Sequence, residues 1–170
     1  LTTVRRNLAA TGNSTHGYFG GGFPGPLSTM DKVTYASDTT AAVPSANLTV
    51  SRIWLAATGN STHGYFGGGS PGPLSTMDKT TYSSDTTAAV PGANLTVARH
   101  DLAATGNSTS GYFGGGLLPG FTSVMDKVTY ASDTTAAVPG ANLTVARYHL
   151  AATGNSTSGY FGGGSPGSGP

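Results

Sequence analysis

Between residues 30 and 35 the chain reads MDKVTY, in which Met30, Lys32 and Thr34 alternate with Asp31, Val33 and Tyr35. A period of two marks a half-exposed β-strand. The pattern returns as MDKTTY at 77–82 and MDKVTY at 125–130. Shortly after each copy comes Ser-Asp, a turn former, and then TTAAV, which suits a strand until Pro44, Pro91 or Pro139 ends it. Two further apolar stretches, LAAT and GYFG, flank a Gly-Asn pair such as Gly59–Asn60, a glycine-first pair suited to a tight hairpin loop. The segment NLTVAR (94–99) then leads into the next unit. Glycine, proline and β-branched residues interrupt every window of helical length. The pattern predicts four short strands per unit and an all-β fold.

The unit repeats. Leu8, Leu55, Leu102 and Leu150 each precede AATGN, at steps of 47, 47 and 48 residues. The extra residue falls in GLLPGFTSVMD (116–126), where the preceding repeat has GSPGPLSTMD (69–78), so the insertion belongs to a connecting loop. The chain reads as one repeat domain with repeats 8–54, 55–101 and 102–149, a half repeat 150–164 and a flexible tail 165–170. It starts at Leu1 rather than Met, which is expected of a slice or a processed product. First halves number four and second halves three, which makes fourteen strands.

Four strands per ~47 residues is the signature of a propeller blade. GYFGGG, at 17–22, 64–69, 111–116 and 159–164, is expected to form the inner strand, with TTAAV toward the rim. Gly20, Gly21, Gly67, Gly68, Gly114, Gly115, Gly162 and Gly163 would then permit close approach of a neighbouring blade and positive φ. Tyr65 and Phe66 would point to opposite faces of their blade. The motifs YFGGG and MDKVTYASDTT (30–40), with Arg52, Arg99 and Arg147 before each LAATGN, resemble the kelch repeat along the whole chain. The tryptophan usual in the last kelch strand is replaced by TTAAV. The resemblance implies an all-β, kelch-like β-propeller of three and a half blades. The GYFGGG repeats are also similar to repeat proteins of aquatic bacteriophages, which implies a virion or tail-fibre component without enzymology.

Composition narrows the partners. The chain has no cysteine and no glutamate, and its 15 charged residues sum to +1. That excludes a disulfide framework and a thiolate metal site, and it argues against the clustered Lys/Arg face that nucleic acid requires. No apolar run approaches the ~18 residues of a membrane span, and no signal peptide is visible. Ser and Thr together make 44 of 170 residues, which gives a neutral, hydroxyl-rich surface suited to a virion or an extracellular fibre. The expected partners are copies of itself or further repeats of a longer chain, and also cell-surface glycans. Two copies of three and a half blades add to a seven-blade ring.

No residue set makes a case for catalysis, and no cofactor is expected. His16 and His63 share a position that is Ser110 and Ser158 in the other copies, and His100 and His149 are out of register. Asp31, Asp78 and Asp126 recur and read as architecture; Asp38, Asp85 and Asp133 read as turn caps. The arginines have two readings. They either bond backbone carbonyls between blades or ring a channel and bind anionic sugars. Trp54, unmatched in other repeats, is expected at a blade edge rather than stacked on a sugar. Asn13, Asn60, Asn107 and Asn155 (NST) and Asn47, Asn94 and Asn142 (NLT) fit a glycosylation acceptor, and equally fit ordinary hairpin chemistry. The reading is a non-catalytic structural or adhesive protein; the alternative is a carbohydrate-binding propeller with one shallow site per blade.

Overall fold

A computed structural model describes residues 1–166. The strands are β1 (Ala9–Gly12), β2 (His16–Gly20), β3 (Met30–Thr34) and β4 (Thr39–Ala42) in the first repeat. The second repeat holds β5 (Ala56–Gly59), β6 (His63–Gly67), β7 (Met77–Thr81) and β8 (Thr86–Ala89). The third holds β9 (Ala103–Gly106), β10 (Ser110–Gly114), β11 (Met125–Thr129) and β12 (Thr134–Ala137). β13 (Arg147–Gly154) and β14 (Gly159–Pro166) form the last half. Each full repeat is a four-stranded antiparallel meander in chain order, and β13–β14 is a lone hairpin. The only helical pieces among the described residues are three single 3₁₀ turns, such as Pro44–Ala46, each opened by the proline that ends the fourth strand. The all-β repeat of four-stranded, blade-like sheets is therefore observed. Ser165 and Pro166 belong to β14 and not to a tail, and residues 167–170 lie outside the described residues.

The expected order of strands needs one correction. β1, β5, β9 and β13 are successive neighbours across the sheets, so AATG and not GYFGG is the inner strand. Alanine, threonine and glycine leave little bulk, and sheets meet closely only where side chains are small. The GYFGG strands stand second, where the space between sheets widens and large rings can fill it. Tyr18, Met30, Phe66 and Tyr82 pack between the first and second sheets, and Tyr65, Met77, Phe113 and Tyr130 between the second and third. β4 is exposed throughout, as expected of a rim. Tyr65 and Phe66 do face opposite ways. The Tyr65 hydroxyl meets Asp133 of the third sheet, while the Phe66 ring lies against Gly20 of the first.

The glycines answer to neighbours. A Cβ on Gly67 would sit 2.7 Å from Met77 Cε and 2.9 Å from Phe113 Cε1. Gly68, at φ +71°, would place one 2.6 Å from the Arg99 carbonyl oxygen. Gly20, Gly21, Gly114 and Gly115 repeat these contacts, with Gly20 and Gly114 facing Phe66 and Phe161. Gly162 and Gly163 have nothing within 4 Å, because no sheet follows theirs among the described residues.

The sheets stack in order and are not closed into a ring. The unpaired half is a first half, β13–β14, whereas the first sheet is complete. Two copies would thus bring two first halves and no lone second half, so the seven-blade sum does not yield seven complete blades.

Candidate functional site

The recurring charges are structural and internal. Arg52 Nη2 meets Asp78 Oδ2 at 2.7 Å, with both side chains fully buried. The same guanidinium donates to the carbonyls of Gly68 (3.0 Å), Thr76 (2.7 Å) and Phe66 (3.2 Å). Arg5–Asp31 and Arg99–Asp126 repeat the pair at 2.8 and 3.0 Å. Asp78 also takes hydrogen bonds from the backbone N–H and hydroxyl of Thr49. Burial pulls the guanidinium pKa of Arg52 and of Arg99 down, and the paired aspartates oppose it. The carbonyl-bonding reading thus fits Arg52 and Arg99, and sealed guanidinia cannot line a channel for anionic sugars. Arg147 differs. It is only half-buried and bonds the Gly163 carbonyl at 2.8 Å, with no aspartate facing it among the described residues.

Asp85 and Asp133 link sheets instead of capping their own turns. Each occupies a left-handed turn position at φ 51°, as does Asp38. Asp85 accepts from Tyr18 and Lys32 of the preceding sheet, and Asp133 accepts from Tyr65 and Lys79. Burial alone would raise the pKa of both carboxyls, but the lysine and tyrosine donors prevail and hold it below the ordinary carboxylate value. Burial and the same aspartates raise the Tyr18 and Tyr65 pKa, and burial pushes Tyr82 and Tyr130 up to about 12.

The asparagines shape loops. Asn60 N–H donates to His63 O at 2.9 Å and Asn60 Oδ1 accepts from the N–H groups of Thr62 and His63, so the hairpin closes over a loop braced by this side chain rather than at the Gly59–Asn60 pair. Asn13, Asn107 and Asn155 do the same. Asn13 Nδ2 also donates to Ser61 O in the next sheet, so a glycan there would displace a sheet-to-sheet bond. Asn47, Asn94 and Asn142 each accept from the N–H of the methionine that opens a third strand, at 2.9 Å. His16 and His63 engage a neighbouring threonine hydroxyl through Nδ1. No cluster of metal-ligating side chains occurs among the described residues. None of their helices is long and apolar enough to cross a membrane.

Sequence differences among the repeats gather elsewhere. AATGNST and GYFGGG are identical in all four copies. Residues 6, 53, 100 and 148 are Arg, Ile, His and Tyr; residues 7, 54, 101 and 149 are Asn, Trp, Asp and His; residues 23, 70, 117 and 165 are Phe, Ser, Leu and Ser. These positions pair with one another: Arg6 with Phe23, Ile53 with Ser70, His100 with Leu117 and Tyr148 with Ser165. All lie where the first strands begin and the second strands end, opposite the Asn-Ser-Thr loops. Ring contacts join several of them, with Arg6 4.6 Å above Phe23 and Trp54 tilted 5.5 Å from His100, while Tyr148 stacks on Phe121 of the neighbouring loop at 5.1 Å.

At this end Asn7, Trp54, Asp101 and His149 form a ladder of rungs. All four are left-handed, with φ 58, 56, 55 and 53°. The N–H of Trp54 donates to Asn7 O, that of Asp101 to Trp54 O, and that of His149 to Asp101 O, at 2.9, 2.8 and 3.0 Å. Asp101, 8% exposed, holds Nδ1 of His100 at 2.8 Å and of His149 at 3.0 Å. The four rungs and Leu8, Leu55, Leu102 and Leu150 line an open cavity of about 250 Å³. Trp54 therefore stands on a connecting segment at the mouth of this cavity and not at a blade edge. Sequence reasoning that weighed each residue alone missed this set, although aligning the repeats at Leu8, Leu55, Leu102 and Leu150 displays it.

No protein-family model matches the chain, and no curated protein matches it.

Proposed function

We propose that the chain is a non-catalytic adhesive repeat protein, part of a virion appendage or extracellular fibre, that uses its varied end to contact a partner. One observation carries the reading: AATGNST and GYFGGG are identical in every copy, whereas the positions that take three or four different residues among the four copies converge on one end. A purely structural stack has no need of four different side chains at one repeated position. Rigid repeats that vary at surface positions suit recognition, since neighbouring repeats lock the backbone while side chains are free to differ. The resemblance of GYFGGG and MDKVTYASDTT to kelch and phage repeats supports an exposed role. A sugar site repeated identically in each blade fits less well, because Asn7, Trp54, Asp101 and His149 offer four different chemistries.

The test replaces residues 53, 54, 100, 101, 148 and 149 with the Arg6–Asn7 pair of the first repeat. Adhesion of the parent chain to whole cells or extracellular matrix should be lost in the variant, with an unchanged far-ultraviolet β-signal. Adhesion that survives the replacement would refute the reading.

A further inference from the structure

We infer that the cavity ringed by Asn7, Trp54, Asp101 and His149 is a single binding site for one ring of a neutral saccharide. The inference rests on the reading of this end as a contact surface and names its ligand.

The backbone is the first reason. Asn, Asp and His enter the left-handed region more readily than other non-glycine residues, whereas a bulky side chain there is a genuine outlier. Trp54 is held at φ 56° by the same ladder that seats Asn7, Asp101 and His149. Asparagine would occupy that rung with less strain, and strained residues concentrate at ligand clamps. The strain keeps an indole at the cavity mouth, 5.5 Å from the His100 ring.

The polar groups are the second. The exposed His149 ring stands with Nδ1 3.0 Å from Asp101 Oδ1 and adds a polar nitrogen, Nε2, at the rim. Asp101 Oδ2 bonds the His100 ring at 2.8 Å, and Oδ1, 3.0 Å from His149 Nδ1, keeps lone pairs for a ligand. Asn7 is exposed, and its amide offers both a donor and an acceptor. Such a set suits adjacent hydroxyls, which donate and accept in turn. The half-buried Trp54 indole supplies apolar surface for the C–H face of a ring, Leu55, Leu102 and Leu150 beneath it being core residues.

Charge and size select further. The lining holds a carboxylate and no lysine or arginine, so phosphate, sulfate and uronate are disfavoured. The volume, about 250 Å³, lies below the roughly 300–1,000 Å³ of pockets for drug-sized ligands and accommodates one ring.

Trp54 is the chain's one tryptophan, so its fluorescence reports on this site alone. The 170-residue protein is titrated with glucose, galactose, mannose and N-acetylglucosamine, and with glucose 6-phosphate as the anionic comparison. At least one neutral sugar should shift Trp54 emission saturably, with a millimolar Kd and one site per chain by calorimetry. Trp54→Asn, which the backbone of this rung accepts, and Asp101→Asn should each weaken calorimetric binding by roughly tenfold or more while leaving the β-signal intact. No response to any neutral sugar, preference for the phosphorylated one, or three or four equal sites per chain would overturn the inference. Adhesion that needs the varied end yet persists in Trp54→Asn and is not blocked by free sugar points to a protein partner. That result overturns the sugar site and leaves the contact-surface reading standing.

Discussion

The Tyr65 hydroxyl donates to Asp133 Oδ1 at 2.5 Å, from the second sheet to the turn of the third, 68 residues further along the chain. Lys79 reaches the other oxygen of the same carboxylate at 2.7 Å. Tyr18 and Lys32 treat Asp85 in the same way. Each sheet therefore completes the hydrogen bonding of the next, and its turn aspartate has a donor only when a sheet precedes it. Asp38, in the first sheet, has no such donor among the described residues and is exposed.

These links make the stack acid-sensitive. The Asp85 and Asp133 carboxyls are held below their ordinary pKa. A depressed pKa contributes stability above the unfolded value, ~3.9, and loses it as pH falls through the folded value. The double variant Asp85→Asn/Asp133→Asn should melt below the parent at pH 7. The gap should narrow as pH drops below about 4. A gap that holds constant into strong acid would show that the two carboxylates contribute nothing as anions.

The buried Arg52–Asp78 pair should behave as a unit. Asp78→Asn leaves a guanidinium sealed from water without its counter-charge, and breaking a buried pair in this way costs about 3–5 kcal/mol. Arg52→Met strands the carboxylate at similar cost. Arg52→Met with Asp78→Leu should cost well below the sum of the single changes, as read from denaturant midpoints at equal slope. Arg147, half-buried and with no aspartate beside it among the described residues, provides the control, since Arg147→Met should change stability by only about 0.5 kcal/mol. Additive costs at Arg52 and Asp78 would mean the two do not act together.

Much of this architecture is legible in the sequence because turn chemistry is local. Ser37–Asp38 and Pro44 bracket β4, and the alternation in MDKVTY places β3. What is not legible depends on neighbours distant in the chain. The glycines of GYFGG invite the innermost place, yet the smaller AATG takes it, because closeness at the axis is decided by side-chain bulk along the whole strand. Asp38, Asp85 and Asp133 look like turn caps because Ser-Asp is turn chemistry; the donors of Asp85 and Asp133 lie one sheet away. Trp54 alone gives no hint of a left-handed backbone. Asn7, Asp101 and His149 at the same repeat position do, since those residue types favour it.

The glycines supply a test within one molecule, because Gly67 and Gly162 share a repeat position but not an environment. A methyl on Gly67 collides with Met77 and Phe113, and overpacking of this kind costs about 1–3 kcal/mol. A methyl on Gly162 meets nothing, and replacing glycine by alanine where the backbone permits it stabilises by about 0.4–1 kcal/mol through the unfolded chain. Gly67→Ala should therefore lower the denaturant midpoint and Gly162→Ala should hold or raise it, both measured in dilute protein. Equal penalties at the two positions would show that close approach is not what the glycines serve. A penalty at Gly162 that appears only as protein concentration rises has a different meaning. It would mark the open face of β13–β14 as a seat for a second copy, whose first sheet could offer Phe19 to Gly162 as Phe66 meets Gly20 and Phe113 meets Gly67.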